Sequence, residues 1–337
     1  MSVIIKNPLT VIKESSPAKP TTWAELKAMS TTDLQAIYPE GSVIDLPCLV
    51  KNPADLSQTD NWGWIVENYG PGRLENDATD YPCVTLVARD CARAAYAFDA
   101  KEQVLADQTS EPLAIAGTFY YGTSSTSGNP TSSNTTKLSL TAGDTIPYGD
   151  YARIFKTDID ATVADFIAFY TGGYANYALS NIRQWLNADA ESDWFSPSHI
   201  GDVAPAYQNQ AGFLYCLPAD FKAVLSPTAV HSAFGAGVDL FDKIFLPSKY
   251  ELRFAFSPIE GDIWSGIQRI RDRIWSRVGA DRTVFPNTGE VSEVYLRSHN
   301  TLGGISSVHV TAQGGLSYSI ASGNHYIAPA CRIILAS

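Results

Sequence analysis

The alternation of apolar and polar residues is clearest near the end of the chain. Residues Ser307–Thr311 and Leu316–Ala321 alternate, and Gly314 and Gly315 separate them. This pattern is typical of two half-buried strands joined by a turn. Further β-prone apolar runs, each interrupted by Ser, Pro or Arg, lie in Asp242–Glu251, Val294–Asn300 and Tyr326–Leu335. The pattern predicts that these strands form the folding core and that the loops between them form the working surface.

Helical spacing occurs in short segments. Thr22 and Glu25 have the spacing of a capping box, and an interrupted helix follows that ends at Pro39–Gly41. A second predicted helix begins at Asp160 and includes Phe166, Ile167 and Tyr170, and a third is capped by Ser180. A short helix is predicted over Pro218–Leu225, while Ile263–Val278 fits either a helix or an irregular loop.

Strands are also predicted in the first half of the chain. Ser42–Leu46, Trp62–Glu67 and Cys83–Ala88 have strand-like composition, and Asn68–Asp80 is rich in loop residues. Residues Thr123–Thr136 consist of small polar side chains that cannot build a core, so they predict an exposed loop or hairpin tip.

Composition limits the possible functions. The chain has 337 residues, 45% of them hydrophobic, and a formal net charge of −11. Nucleic-acid binding needs clustered cations, so this charge argues against it. No apolar run is long enough for a secretory signal or a membrane span, which favours a protein made in the cytoplasm and not inserted in a membrane. The five cysteines are scattered and odd in number, which predicts buried free thiols.

Motifs for metal or catalytic chemistry are weak. Asn187–Asp193 places side-chain oxygens at alternate positions, as a calcium-binding loop does. However, Trp194 and Ile200 occupy the positions at which such a loop has Gly and Glu. The five histidines have no zinc-site spacing, and His309 is predicted on the exposed face of a strand. We therefore expect no metal and no cofactor. No nucleophile elbow is present, while a carboxylate pair for glycoside hydrolysis stays open because it depends on the fold.

Several segments together resemble a domain family of unassigned function that recurs in phages and prophages of Gram-positive, especially gut, bacteria. These segments are Ser180–Asn187, Ala211–Pro218, Asp242–Glu251, Tyr295–Ser298 and Ile327–Ile333, with Trp23–Ser30 and Leu140–Tyr151 resembling upstream parts of the same phage proteins. The C-terminal series is also similar to the C-type-lectin-like fold of formylglycine-generating enzymes and phage tropism determinants. Tyr295 stands where Trp is common, and Cys331 has no nearby partner cysteine, so oxidase activity is not expected.

The resemblance implies an α+β fold with a C-type-lectin-like body of twisted antiparallel strands, a few short helices and long loops. Residues 1–20 would form an extended N-terminal arm for attachment or oligomerisation, 21–150 a β-rich part, and 151–337 a lectin-like part. The last two parts could form one compact domain. A free end or a strand of the chain's own sheet is the alternative for the arm.

The resemblance implies a structural protein on the surface of a phage virion, not an enzyme. Host recognition or adhesion is the favoured task. Its partners would be other virion proteins bound through the arm, further copies of itself, and a host surface glycan or protein. The candidate ligand-binding residues are Arg297, His299, Asn300, Asn324, His325 and Tyr326. A buried hydrogen-bonding role for Arg297 stays open. The alternative functions are ligand-free capsid decoration and a glycan-degrading enzyme.

Overall fold

The structure is a computed structural model that describes most of the chain. It describes residues 16–89, 91–92, 94–100, 117–122, 135–140, 153–156, 167–168, 175–198, 202–232, 238–249, 251–252, 293–299, 306–311 and 316–337. The predictions for residues 1–15, 123–134 and 263–278 and for Asn300 therefore lie outside the described residues.

Short helices and many strands make up the fold. The helices are α1 Trp23–Lys27, α2 Thr31–Ile37, α3 Asn181–Asn187, α4 Phe213–Cys216 and α5 Ala219–Val224, with a 3₁₀ turn at Tyr177–Leu179. The strands are β1 Val43–Ile44, β2 Leu49–Asn52, β3 Asp55–Asn61, β4 Trp64–Arg73, β5 Asp80–Ala88, β6 Tyr96–Ala97, β7 Gly117–Gly122, β8 Thr135–Leu140, β9 Arg153–Lys156, β10 Ile167–Ala168, β11 Thr228–Ser232, β12 Val238–Asp242, β13 Ile244–Phe245, β14 Val294–His299, β15 Ser306–Val310, β16 Leu316–Ile320, β17 Asn324–His325 and β18 Ala330–Ile334.

The largest sheet is antiparallel and has the strand order β1-β4-β5-β18-β13. It combines strands from the start of the chain with the last strand, because β18 pairs with β5 through Cys331 opposite Leu86 and Ile333 opposite Val84. All four of these side chains are buried. The mixture of short helices and mostly antiparallel sheets agrees with the predicted α+β class.

Aromatic side chains fix the first helix on this sheet. The ring of Phe221 in α5 lies 4.4 Å from Trp23 in α1 and 5.0 Å from Trp64 in β4, measured between ring centroids. The indole N–H of Trp23 donates to the carbonyl of Pro47 at 3.0 Å, so the buried ring leaves no unpaired donor. The interrupted helix predicted at this end of the chain is confirmed as α1 and α2.

Helix α3 has the predicted start and holds the edge strand β13 in place. The Ser180 hydroxyl accepts a hydrogen bond from the backbone N–H of Arg183, as an N-cap does. At the other end, the amide of Asn187 donates to the carbonyl of Ile244 at 2.8 Å, and its oxygen accepts from the N–H of Lys243 at 2.9 Å. One side chain thus takes the role of a neighbouring strand.

Two predictions of secondary structure differ from the structure. The loop predicted at Asn68–Asp80 is largely strand, because β4 and β5 continue as a hairpin to the pair Arg73–Asp80. The absence of a side chain at Gly72 allows close packing there, since a Cβ on Gly72 would lie 3.0 Å from the sulfur of Cys83. Of the helix predicted from Asp160, only Ile167 and Ala168 are among the described residues, and they form β10, which pairs with β9. Strand pairing has overridden the local helical spacing there.

The cysteine prediction is confirmed, because all five cysteines are free and buried. No helix in the described part of the chain is long and apolar enough to cross a membrane.

Candidate functional site

A three-stranded sheet near the end of the chain builds the candidate site. Its strand order is β14-β15-β16, and the hairpin of β15 and β16 is the one that the alternating pattern predicted. Tyr295 lies opposite His309, and His309 lies opposite Ser317. These side chains share one face of the sheet, since directly paired residues point the same way.

Two histidines and one carboxylate meet on this face. Glu293 Oε2 lies 3.3 Å from His309 Nε2 and 3.2 Å from His325 Nδ1. The two imidazole rings are stacked, with centroids 4.2 Å apart and planes inclined by 18°. One nitrogen or oxygen from each of the three residues lies within 4.8 Å of the others, so these side chains could hold a metal ion. We call Glu293, His309 and His325 the His–Glu cluster.

The His–Glu cluster is buried on one side and open on the other. Only 4% of the His309 side chain and 13% of the His325 side chain are exposed, against 45% of Glu293. Burial lowers the pKa of His309 below its usual value. Burial, together with the neighbouring His309, lowers the pKa of His325 to about 4. Both imidazoles are therefore neutral near pH 7.

Neighbouring groups orient the two imidazoles unequally. His325 Nε2 lies 2.8 Å from the hydroxyl oxygen of Ser319, and its ring makes an edge contact with Tyr295 at 4.8 Å between centroids. The Tyr295 hydroxyl in turn donates to the carbonyl of Gly323 at 2.6 Å and ties this strand to the turn before His325. His309 Nδ1 is buried and has no hydrogen-bond partner within the described ranges.

The predicted exposure of His309 is wrong, because only 3% of the residue is exposed. The alternation with Val308 and Val310 does put His309 on the opposite face of β15. That face is not in water, because Tyr295 lies beside His309 in the sheet and His325 stacks on it. A strand covered on both faces breaks the rule that alternation separates core from solvent.

Arg297 has the buried structural role that the sequence left open. Its guanidinium makes two hydrogen bonds to the Glu251 carboxylate, at 2.5 Å and 2.8 Å. It also donates to the carbonyls of Leu246 and His231, at 2.8 Å and 2.9 Å. Only 1% of the Arg297 side chain is exposed, so it is directed into the core.

The other predicted site residues lie either at the end of β14 or beside His325. His299 ends β14, but its side chain and Asn300 lie outside what is described. Asn324 is exposed and Tyr326 is partly exposed, on either side of His325. The N–H of Tyr326 donates to the carbonyl of Glu293 at 3.0 Å, and this backbone contact brings Glu293 beside His325.

An exposed edge lies next to the His–Glu cluster along the chain. Tyr318 is 51% exposed and Ile320 is 48% exposed, and they occupy alternate positions on β16. The carbonyl of Ile320 accepts from the N–H of Gly323 at 2.9 Å in the turn that leads to the exposed Asn324. We call Tyr318, Ile320 and Asn324 the exposed edge.

The acidic run Asn187–Asp193 makes contacts within the protein. Asn187 binds β13 as described, Asp189 pairs with Lys222 at 2.7 Å, and Glu191 accepts a hydrogen bond from the hydroxyl of Tyr215 at 3.1 Å. These three side chains therefore have partners within the protein.

Sequence reasoning missed Glu293 and the role of His309. The three residues of the His–Glu cluster are far apart in the sequence, and one stands before β14, one within β15 and one within β17. The available signals were the histidine in an apolar strand and the candidate His325, but neither identifies its partners without the strand register.

Comparison with protein families places part of the chain in a family of unknown function. Residues 168–335 match the family described as "Domain of unknown function (DUF6273)". The search of curated proteins and the search of solved structures found no match. The matched segment contains β11 to β18 and the whole His–Glu cluster. A DUF6273 domain of unknown function thus covers residues 168–335 of the chain.

Proposed function

We propose that the chain is a surface structural protein of a phage particle and attaches that particle to its host. The proposal joins two lines of support, which are the resemblance of the sequence segments to phage proteins and the chemistry of the exposed edge. A C-type-lectin-like arrangement of the C-terminal part, with the N-terminal arm bound to other virion proteins and to further copies of the chain, belongs to the same proposal.

The observation that carries the adhesion function is the exposed edge. An exposed aromatic ring, an exposed aliphatic side chain and an exposed amide follow one another on Tyr318, Ile320 and Asn324. Aromatic faces pack on the C–H surface of sugars, and amides both donate to and accept from hydroxyl groups. This combination suits a glycan of the host surface.

The exposed edge is also rigidly supported. The fully buried Tyr295 binds the carbonyl of Gly323 in the turn before Asn324, and β17 pairs with β6 through Asn324 opposite Ala97. A binding surface that is already ordered loses little conformational entropy when it binds. The structure of the turn therefore favours a preformed binding surface.

The first test locates the chain by immunogold labelling of phage particles from a strain that encodes it. Label at the tail tip or fibre ends is expected. Label spread over the head would contradict adhesion and favour capsid decoration. Particles without label would overturn the virion assignment and favour the glycan-degrading enzyme.

The second test measures binding of the fluorescently labelled chain to cells of the host strain. Tyr318→Ser and Asn324→Ala should each reduce binding about tenfold or more, because hot-spot residues contribute about 2 kcal/mol or more. Leu49→Ser is the matched control, since Leu49 is 55% exposed but belongs to the separate sheet of β2 and β3. Equal binding by all four proteins would overturn the assignment of the exposed edge.

A further inference from the structure

We propose that Glu293, His309 and His325 bind a zinc ion. The proposal goes beyond adhesion and does not depend on it, because it concerns the buried face of the β14-β15-β16 sheet and not the exposed edge. It also departs from the expectation, based on sequence spacing, that the chain holds no metal.

The separations within the His–Glu cluster fit a zinc centre. Bonds of about 2.0–2.1 Å at tetrahedral angles place neighbouring ligand atoms about 3.3–3.4 Å apart. The Glu293 oxygen lies 3.3 Å from the His309 nitrogen and 3.2 Å from the His325 nitrogen. The three ligand atoms lie within 4.8 Å of one another. The two imidazoles are stacked, so their side chains must rotate for both ring nitrogens to point at one ion.

The hydrogen bonding around His325 also suits a metal. In this arrangement His325 Nδ1 binds zinc, and its Nε2–H donates to the hydroxyl of Ser319, which lies 2.8 Å away. Ser319 is then a positioning residue that fixes the tautomer of His325.

The cluster has an entry path and an open position. Glu293 is nearly half exposed, whereas the two imidazoles are buried, so an ion can enter from the carboxylate side. Three protein ligands leave the fourth position of a tetrahedral zinc for water.

The donor set selects zinc over calcium or magnesium. Imidazole nitrogen suits zinc and neighbouring transition metals, whereas calcium takes six to eight oxygen ligands and magnesium a nearly octahedral oxygen set. Two nitrogens and one carboxylate meet the first requirement and not the others.

The test uses the full chain without a histidine tag, stripped with a chelator and titrated with Zn²⁺ at pH 7.5 by calorimetry. One zinc ion per chain is expected, together with a higher melting temperature, since an ion that binds only the folded state stabilises it. Ca²⁺ and Mg²⁺ at the same concentration should leave the melting temperature unchanged. Cobalt in place of zinc should give the strong visible absorption of a four-coordinate site.

Variants separate the His–Glu cluster from adventitious binding. Glu293→Gln and His325→Gln should weaken zinc binding by more than Ser319→Ala, for which about a 10–100-fold loss is expected. The controls are Glu75→Gln and His231→Gln, because both residues are exposed and lie outside the cluster. Circular dichroism of each apo variant establishes that it is folded, and Glu293→Gln keeps the test valid if a histidine variant unfolds, because Glu293 is partly exposed.

The proposal is overturned if the stripped chain binds no stoichiometric zinc. It is also overturned if Glu293→Gln binds zinc as tightly as the unchanged chain, or if the control variants lose binding to the same degree. Failure of the cell-binding test with intact zinc binding would overturn the adhesion function alone, so the two proposals fail separately.

Discussion

Arg297 and Glu251 form a two-pronged ion pair in which the side chains are 1% and 0% exposed. The pair joins β14 to the segment after β13, and the remaining Arg297 donors reach the carbonyls of Leu246 and His231. Arg332 in β18 lies 3.7 Å from the same carboxylate. The arginine that the sequence offered for ligand binding ties β14 to β11 and to the segment after β13.

Replacing Arg297 should strongly destabilise the fold. Removal of one partner of a buried ion pair costs about 3–5 kcal/mol, because the other charge stays buried and unpaired. We expect Arg297→Met to reduce the free energy of unfolding by an amount near the lower end of that range, about 3 kcal/mol. The loss is not larger because Arg332 still lies near Glu251. Urea denaturation followed by tryptophan fluorescence measures it.

The matched control for this prediction is Lys222→Met. Lys222 pairs with Asp189, whose side chain is 51% exposed, so the loss should be at most about 1 kcal/mol. The double variant Arg297→Met/Glu251→Gln should recover part of the loss. Equal losses for Arg297→Met and Lys222→Met would contradict the assigned role of the buried pair.

Asn187 should contribute stability through both ends of its amide. It donates to the carbonyl of Ile244 and accepts from the N–H groups of Lys243 and Ile244. Asn187→Ala leaves these backbone groups without that partner and should cost about 1–3 kcal/mol. Asn187→Asp keeps the acceptor but loses the donor, so it should also be destabilising. Thermal unfolding of both variants beside the exposed control Asn209→Ala measures the effect, and equal melting temperatures for Asn187→Ala and Asn209→Ala would argue against it.

The parts of the fold that the sequence predicts are those with local causes. Ser180 caps α3 through a contact three residues away, and the pairing of β15 with β16 follows from the alternation on both sides of Gly314 and Gly315. The α+β class likewise follows from short helical and strand patterns. Such signals lie within one element, so a sequence contains them completely.

The parts that the sequence did not predict depend on distant contacts. Gly70, Pro71 and Gly72 have the composition of a loop, yet they pair with Pro82 and its neighbours because the hairpin extends past them. His309 has the neighbours of an exposed strand residue, yet His325 covers it. The His–Glu cluster depends on the β14–β15 pairing and on the hydrogen bond from the backbone of Tyr326 to that of Glu293, and no spacing in the sequence encodes these contacts.

Gly212 should be far more sensitive to alanine than Gly63. A Cβ on Gly212 would lie 2.2 Å from the carbonyl oxygen of Ala188, which is backbone and cannot move aside cheaply. A Cβ on Gly63 would lie 3.0 Å from the guanidinium of Arg89, which is the far end of a flexible side chain. We expect Gly212→Ala to cost about 3 kcal/mol or more and Gly63→Ala about 1 kcal/mol or less. Chemical denaturation of the two variants measures the difference, and the reverse order would contradict the packing around α4.

Asp45 should show a low pKa that depends on two named donors. The hydrogen bond from Lys19 and then that from the Tyr38 hydroxyl hold the pKa of Asp45 below its usual value, while burial raises the pKa of Tyr38. A carboxyl group whose pKa is lower in the folded state than in the unfolded state stabilises the fold at pH values above its unfolded pKa of about 3.9. This contribution is lost as the pH falls through the folded pKa. Because Asp45 is half exposed, the contribution should be below about 1 kcal/mol.

Carboxyl-carbon NMR titration between pH 2 and pH 7 measures this pKa directly. Tyr38→Phe removes one donor and should move the pKa of Asp45 up toward its usual value, and Lys19→Met should move it further, because the Lys19 hydrogen bond is the larger cause. Tyr318→Phe is the control, since the exposed Tyr318 lies on β16 and Asp45 follows β1. High salt should weaken the effect of Lys19 more than that of Tyr38, because salt screens charges more than it disturbs a neutral donor. If Asp45 in the unchanged chain titrates with the usual pKa of an aspartate, the hydrogen bonds from Lys19 and Tyr38 do not lower its pKa. In that case Lys19 also does not bind the segment before α1 to the end of β1.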